Sequence, residues 1–233
     1  MKLSFVVRAV AIAAAALASY AAGRPAVAAA PILLQVDTSK APTQNLVFTR
    51  ETIPVSPGRV TLYYPKWIPG QHEAAGPIAN FAGLEIEANG AAVPWHRQAH
   101  DMFAFDVDVP AGVTSIDVNA TYLGATFGNY SNARVATPNM LCITWHQNLL
   151  YPATGTIQNT IFKPSIVLPG ADWQFATALT GAQRAGNTVT FDDVSLEHLV
   201  DSPLDAGTNY KRWVLWQDGD AGAYLNVFAD VPS

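Results

Sequence analysis

The chain has 233 residues, of which 50% are hydrophobic and 13% charged, and a formal net charge of −5. This composition excludes a disordered polypeptide. The acidic balance argues against nucleic acid or an anionic membrane surface as a partner, because both repel negative charge. The single cysteine, Cys142, excludes an internal disulfide, and its apolar neighbours predict a buried, unreactive thiol.

The first residues have the order of a secretory signal peptide. Lys2 and Arg8 form a short positive region, an alanine-rich run extends from Ala9 to Ala22, and Ala26-Val27-Ala28 fits the small-residue rule for cleavage. The apolar run is shorter than the roughly 20 residues of a membrane span. We therefore expect residues 1–28 to be removed, which leaves 205 residues. Because the removed segment carries three positive charges, on Lys2, Arg8 and Arg24, the side-chain charge changes from −5 to −8. The expected location is periplasmic or secreted, with no membrane contact after cleavage.

Beyond residue 28 the dominant pattern is period-two alternation in short runs. Leu84–Ala88, Phe103–Val109 and Ile116–Tyr122 each place their large apolar groups on one face, as half-buried antiparallel strands do. Turn sequences such as Asn89-Gly90 and Pro169-Gly170 separate such runs. Further strands are predicted at Ile32–Asp37, Leu46–Ile53, Arg59–Tyr64, Met140–His146, Ser165–Leu168, Gln174–Ala178, Thr188–Phe191, Lys211–Gln217 and Tyr224–Ala229. Residues 29–233 are therefore predicted to form one all-β domain, an antiparallel β-sandwich or saddle-like sheet.

Two segments depart from this pattern. One short helix is predicted at Val194–Val200, with Asp193 as its N-cap and Ser202-Pro203 ending it. The segment Tyr64–Pro77 contains three prolines, which cannot donate ladder hydrogen bonds, so it is predicted to be a long structured loop.

The histidines do not predict a metal site. A thermolysin-type zinc site needs His-Glu-x-x-His on a helix, and His72-Glu73-Ala74-Ala75-Gly76 has glycine in place of the second histidine and lies in the proline-rich loop. His96 and His100 would be about 13 Å apart on an extended strand. We expect the latter two to face solvent, and no catalytic, cofactor-binding or metal-ligating residue is nominated.

The acidic residues are equally uninformative. Asp218–Gly222 resembles the start of a calcium loop but lacks the later ligands, so a hairpin turn is predicted there. Scattered acids such as Glu51, Asp101 and Glu197 do not by themselves define a catalytic pair.

The tryptophans of the strand at Lys211–Gln217 allow two interpretations. Trp213 and Trp216 are an odd number of residues apart, so a regular strand would point them to opposite faces. Either this apolar strand lies centrally between two sheets, or one of its faces is covered by something absent from this chain.

A set of motifs, taken together, resembles a known family. The motifs are Leu62-Tyr-Tyr-Pro-Lys-Trp-Ile-Pro-Gly70, Gly76-Pro-Ile-Ala-Asn-Phe-Ala-Gly-Leu84, Asn89-Gly90 to Trp95, Leu168-Pro-Gly-Ala-Asp-Trp173 to Leu179, and Leu199-Val-Asp-Ser-Pro-Leu-Asp-Ala-Gly207. Their order is similar to that in the N-terminal domain of the glycyl aminopeptidase family, metallopeptidase family 61. The resemblance covers nearly all of the chain after residue 30.

The resemblance implies a function for the domain. In that family a β-domain precedes a thermolysin-like domain that carries His-Glu-x-x-His, and no residue here matches those zinc ligands. Zinc is therefore implied only for a catalytic domain absent from this chain, and no cofactor is expected in the chain itself. The expected partner is such a domain in a longer parent, or a peptide substrate. The chain would be a non-catalytic domain of an exported zinc aminopeptidase that scaffolds and borders the substrate cleft.

Part of the proline-rich loop is the candidate cleft-lining or interdomain segment, namely Trp67, Pro69, Gly70, Gln71 and His72. The alternative for Trp67 is that its ring plugs the end of the sandwich. The alternative for the whole chain is a free-standing exported module that binds carbohydrate or protein through exposed aromatic residues.

Overall fold

The computed structural model of the chain describes residues 30–124, 136–219 and 221–232. The expected signal peptide, residues 1–28, lies outside them. Among these residues no helix has both the length and the apolar character needed to cross a membrane.

The described residues are mostly β-strand, which confirms the all-β fold class. The eighteen strands are β1 (Ile32–Asp37), β2 (Leu46–Pro54), β3 (Gly58–Tyr63), β4 (Phe81–Ala88), β5 (Ala91–Ala92), β6 (Trp95–Arg97), β7 (Ala104–Val109), β8 (Ser115–Leu123), β9 (Met140–Ile143), β10 (Tyr151–Pro152), β11 (Ile161–Val167), β12 (Gln174–Thr177), β13 (Gln183–Ala185), β14 (Thr188–Thr190), β15 (Val194–Ser195), β16 (Leu204–Gly207), β17 (Asn209–Asp218) and β18 (Ala221–Ala229). The helices are α1 (Ala41–Gln44) and α2 (Leu196–Val200), with 3₁₀ turns at Ile78–Asn80 and Trp145–Gln147.

Four sheets organise these strands. The largest has the order β13-β14-β11-β1-β2-β8-β4-β5, and β15 pairs with β11 beside it. The others have the orders β10-β3-β7-β6, β12-β16-β9 and β17-β18. Strand pairing is antiparallel except between β1 and β11, which run parallel with Ile32 opposite Phe162.

Alternating burial explains how two of these sheets face each other. In β8, Ile116, Val118, Ala120 and Tyr122 are buried, while the residues that alternate with them are partly or fully exposed. Leu62 of β3 and Val107 of β7, in the four-stranded sheet, belong to the same buried cluster. The apolar faces of the two sheets therefore share one core, as in a sandwich.

The helices differ in detail from the sequence prediction. Helix α2 begins at Leu196, and Ser195 is its N-cap, because the Ser195 hydroxyl accepts a hydrogen bond from the backbone N–H of His198. Asp193 is not the cap, since Val194 and Ser195 first pair with β11. A second short helix, α1, was not predicted from the sequence; it has a proline in its first turn and ends at Asn45 in the left-handed conformation.

The strand predicted at Met140–His146 is shorter in the structure. It ends at Ile143, and the chain turns into a 3₁₀ helix that buries Trp145, whose indole N–H donates to the Ser202 carbonyl at 2.8 Å. The prediction that Cys142 is buried is wrong: the residue is exposed, on the strand face opposite to that of Leu141 and Ile143. Although the residue is exposed, partial desolvation of its thiol, followed by the effect of Asp205, raises the pKa of the thiol to about 12. Thiolate is therefore scarce at neutral pH, which agrees with the prediction of an unreactive thiol.

The strands β17 and β18 form a two-stranded ribbon joined, as predicted, by a tight turn at Gly219. Asp220 of that turn lies outside the described residues. The central-strand interpretation is wrong, because Trp213, Trp216 and Leu225 are 40%, 55% and 47% exposed. A bulge between Val214 and Trp216 also interrupts the alternation.

The bulge places the two tryptophans on one face. Trp213 pairs with Leu225 and Trp216 pairs with Ala223, and these two partners are two residues apart on β18. Directly paired residues share a face, as do residues two apart on a strand. The sequence prediction that Trp213 and Trp216 point to opposite faces is therefore wrong, because one extra residue in the strand reverses the alternation.

Glu51 gives a first prediction for stability. Its side chain is fully buried, one carboxyl oxygen accepts from the Leu150 N–H at 2.7 Å, and burial raises the pKa of the carboxyl well above its usual value. The folded protein therefore binds the carboxyl proton of Glu51 more tightly than the unfolded chain does. The stabilisation that this protonated carboxyl contributes is full below about pH 4.3 and declines as pH rises towards the pKa of Glu51 in the folded state.

The variant Glu51→Gln should remove that pH dependence. As pH rises from about 4.3 towards the folded pKa, we expect the free energy of unfolding of the variant to increase relative to that of the parent by about 1.4 kcal/mol for each pH unit. Urea denaturation at several pH values between 4.5 and 8 measures this, with the exposed Glu85→Gln as the control. A parent and variant that differ by a constant amount over that range would contradict the prediction.

Candidate functional site

The proline-rich loop is irregular, as predicted, and is held by specific hydrogen bonds. Buried Tyr64 donates its backbone N–H to the Phe103 carbonyl at 2.8 Å and its hydroxyl to the Gln147 carbonyl at 3.2 Å. At the far end the N–H of Gly76 donates to the Lys66 carbonyl at 3.1 Å. The loop is therefore fixed at its base by contacts that close it on itself.

Gly76 is sterically required at this closure. A Cβ at this position would overlap the carbonyl oxygen of Pro65 and lie 3.1 Å from the ring of Phe103. Position 76 is also where the second histidine of His-Glu-x-x-His would stand. Zinc therefore does not fit this segment: the loop is not helical, and its geometry admits no side chain at the required place.

The Gly76→Ala variant should be destabilised by about 2 kcal/mol, because the backbone of Pro65 has to move to admit the methyl group. Thermal and urea unfolding measure the loss. Gly70→Ala is the matched control on the same loop: Gly70 has a φ of +78° but open space around it. We expect about 1 kcal/mol there from the left-handed backbone alone. Equal losses in the two variants would show that the Pro65 contact is unimportant.

The proline-rich loop forms one wall of a cleft of about 550 Å³. Helix α2 forms another part of the lining, and the 3₁₀ turn after β9 contributes His146. The residues that line the cleft are Pro65, Lys66, Trp67, Ile68, Pro69, His146, Tyr151, Ile157, Leu196, Glu197, Val200 and Asp201. Most of this surface is apolar.

His146 is the unusual group in the cleft. The residue is only 4% exposed, and neither ring nitrogen has a hydrogen-bond partner among the described residues. Burial lowers the pKa of the imidazole to about 4, so the ring is neutral at physiological pH. A neutral imidazole has one donor and one acceptor, and both are unused here.

Charged groups line the cleft as well. Glu197 and Asp201 stand four residues apart, on α2 and at its C-cap, and both are exposed. Lys66 is the basic group, and its Nζ lies 3.3 Å from the Asp101 carboxylate. The lysine charge is thus already paired outside the cleft lining, whereas the two carboxylates leave the lining with an acidic bias.

The structure separates the candidate residues of the loop. Trp67 and Pro69 line the cleft, and Trp67 is 68% exposed, so it does not plug the sandwich. Gly70, Gln71 and His72 are outside the lining. Gly70 lies in a turn closed by the Gln71 N–H, which donates to the Ile68 carbonyl at 3.0 Å, and His72 is exposed.

The remaining histidines and acids stay apart from one another. His96 and His100 face solvent, as predicted, and His96 Nε2 lies 3.5 Å from Asp106. Among residues 30–124, 136–219 and 221–232 no three histidine, cysteine, aspartate or glutamate side chains cluster as a metal site would require. Of the scattered acids, Glu51 is in the core, Asp101 pairs with Lys66, and Glu197 lines the cleft.

Sequence reasoning nominated Trp67 and Pro69 of the cleft but missed His146 and helix α2. His146 sits at the end of an apolar run that reads as a strand, and α2 is about 50 residues further along the chain. The available signal was a polar residue among buried apolar ones. Nothing in the sequence placed α2 in the same cleft as the proline-rich loop.

Solved structures with a similar fold are larger than this chain. An aminopeptidase N family protein from Idiomarina loihiensis matches with a TM-score of 0.69 and 15% identity over 85% of this chain. The chain spans only 32% of the length of that protein. Yeast LTA4 hydrolase in complex with bestatin gives a TM-score of 0.49 at 11% identity, over 80% of this chain and 29% of that one. An M1 zinc metallopeptidase from Deinococcus radiodurans gives a TM-score of 0.39 at 14% identity, over 84% of this chain and 45% of that one.

At these identities the Idiomarina protein shows the fold alone, and the other two matches carry no argument. No curated protein matches the chain in sequence. The family model described as the peptidase M61 N-terminal domain matches residues 34–208, three quarters of the chain. This match confirms the resemblance seen in the sequence motifs, and the chain belongs to the peptidase M61 N-terminal domain family.

Proposed function

We propose that the chain serves as the non-catalytic N-terminal β-domain of an exported zinc aminopeptidase, where it scaffolds and borders the substrate cleft of a thermolysin-like domain. The observation that carries the proposal is the β17–β18 ribbon. It begins at Asn209, directly after the matched family domain of residues 34–208, and it exposes apolar groups on both faces.

The ribbon has the character of a covered surface. Trp213, Leu225 and Val227 are 40%, 47% and 39% exposed on one face, while Val214, 58% exposed, lies on the other. An isolated two-stranded ribbon is only marginally stable in water, and contiguous exposed apolar patches mark interaction sites. A further domain packed on the ribbon would bury these groups and supply the missing strands or helices.

The zinc and the hydrolytic residues would belong to that further domain. Purified chain supplied with zinc is expected to show no aminopeptidase turnover on alanine or glycine substrates. Turnover that a chelator abolishes, and that follows the chain through purification, would overturn the non-catalytic assignment.

Docking is tested by titrating the chain with a separately produced thermolysin-like domain of an M61 peptidase, followed by sedimentation velocity. We expect a complex that the double variant Trp213→Ser/Leu225→Ser weakens at least tenfold. Leu33→Ser is the matched control, because Leu33 is 48% exposed on β1, which belongs to a different sheet from the ribbon. Equal weakening by the control, or an unaffected complex in the double variant, would contradict docking through the ribbon.

One observation favours the alternative of a carbohydrate-binding module. The bulge puts Trp213 and Trp216 on the same face, as a sugar platform requires. Titration with neutral oligosaccharides, followed by tryptophan fluorescence, separates the two functions. Docking of a second domain predicts no response, whereas a saturable change that Trp213→Ala abolishes would favour sugar binding.

A further inference from the structure

We propose that the cleft between the proline-rich loop and α2 binds a small amphiphilic cation, an apolar group that carries a positive charge close by. This inference goes beyond the proposed function. Every residue it uses belongs to the described part of this chain, and it requires no second domain and no metal.

The size and lining of the cleft suit a small organic ligand. Its volume of about 550 Å³ lies within the range of small-molecule sites, roughly 300–1,000 Å³. Ile68 on the loop, Ile157, and Leu196 and Val200 on α2 provide apolar surface on its walls. Such sites bind an apolar body and orient it with a few polar groups.

His146 is the polar group that would orient the ligand. It is only 4% exposed, it lines the cleft, and both of its ring nitrogens lack hydrogen-bond partners in the described structure. Buried polar atoms are nearly always hydrogen-bonded, so an unpaired imidazole on a cleft wall indicates a ligand group or a water. The neutral ring can donate to a carbonyl or accept from an amine or amide.

The charges at the cleft select a cation. Glu197 and Asp201 line the cleft, while the Lys66 ammonium is paired with Asp101 at 3.3 Å. The indole of Trp67, 68% exposed, offers a ring face over which a cation is attracted. An anionic ligand would meet two carboxylates and only one amine that is already neutralised.

Three matched probes test the charge preference on the full chain. Phenylalaninamide is a cation, N-acetylphenylalaninamide is neutral, and N-acetylphenylalanine is an anion with the same apolar ring. Binding is followed by the ring ¹⁵N shifts of His146 and by the ¹⁹F shift of 5-fluorotryptophan at position 67, assigned with Trp67→Phe. We expect a dissociation constant on the order of 1 mM for the cation, at least fivefold weaker binding of the neutral probe, and no binding of the anion.

Variants separate the roles of the polar groups. Glu197→Gln/Asp201→Asn changes exposed residues, so it should fold, and it should abolish the preference for the cation while leaving the neutral probe unchanged. His146→Phe should weaken the cationic and neutral probes at least fivefold, and His146→Asn should restore part of the loss. His96→Phe, an exposed histidine outside the cleft, is the control. If His146→Phe does not fold, the proposal is still tested by the Glu197→Gln/Asp201→Asn variant and by the NMR shifts of His146 and Trp67 in the parent protein.

The positive charge of the ligand has two possible sources, a free amine beside the apolar group or a basic side chain on the next residue of a peptide. Phenylalaninamide represents the first source, and N-acetyl-Phe-Lys-amide, in which the lysine supplies the cation, represents the second. Binding of either supports the site and names its source. Absence of shifts at His146 and Trp67 up to 20 mM of both would mean that the cleft holds water only and would overturn the proposal. Equal binding of anion and cation, or an unaltered affinity in His146→Phe, would do the same.

Discussion

Replacing Trp145 with alanine should lower the free energy of unfolding by about 4 kcal/mol. The side chain is completely buried, its ring meets Phe191 edge-on at 6.3 Å between centroids, and its indole N–H donates to the Ser202 carbonyl at 2.8 Å. Truncation leaves a cavity and removes the shorter of two hydrogen bonds to that carbonyl, the other coming from the Thr177 hydroxyl at 3.4 Å. Chemical denaturation monitored by far-UV circular dichroism measures the loss.

Trp145→Phe is the matched comparison for that loss. It keeps a ring against Phe191 but removes the N–H, so we expect roughly half the effect of the alanine variant. Because Trp145 immediately precedes His146, both variants should also shift the NMR resonances of the cleft. A loss below about 1.5 kcal/mol for Trp145→Ala would show that the surrounding residues collapse into the space.

The protein should lose about 3 kcal/mol of stability between pH 6.5 and pH 4 through His146 alone. Burial lowers the pKa of this imidazole to about 4, against an unfolded value of about 6.5. Below pH 6.5 the unfolded chain therefore binds a proton that the folded protein rejects, so stability falls with pH until the folded pKa is reached. Desolvation by burial is the cause of the lowered pKa. The charged groups in the same lining are of both signs, Glu197 and Asp201 being negative and Lys66 positive.

The measurement is the free energy of unfolding of the parent and of His146→Phe at intervals from pH 4 to pH 7.5. The variant lacks the titrating group, so the difference between the two proteins should change by about 3 kcal/mol across that range. His100→Phe, which removes an exposed histidine, is the control for the substitution itself. A parent and His146→Phe that respond identically to pH would place the imidazole in contact with water.

Much of the sheet structure could be predicted from the sequence, because one buried face imposes a period of two. Strand β1 was predicted with its observed limits, and β8 to within one residue at each end. Prediction failed where tertiary contacts outweighed the local pattern. The apolar run after Met140 reads as one strand, but the pairing of Trp145 with Ser202 bends the chain after Ile143.

The candidate site was predictable only in part, because it joins distant segments. The three prolines were enough to predict an irregular loop at Tyr64–Pro77, with Trp67 in it. The same cleft is also lined by a five-residue helix that begins at Leu196, far along the chain from Pro77, and the N-cap of this helix differs from the one predicted. No local pattern relates the two segments, so His146 could not be recognised as a group between them.

In the β17–β18 ribbon, a single extra residue makes a prediction based on strand alternation wrong. Counting along a regular strand separates Trp213 from Trp216, and the bulge after Val214 brings them together. Bulges depend on pairing with the partner strand, which one strand's sequence does not specify.

The parallel pairing of β1 with β11 has a consequence for the order in which the molecule can assemble. The first strand of the domain occupies an interior position, with β2 on one side and β11 on the other, and Thr38 bonds to Val167 across 129 positions of the chain. During synthesis one flank of β1 stays open until β11 (Ile161–Val167) has been made. Such long-range closure slows folding and leaves an unpaired strand edge exposed for longer.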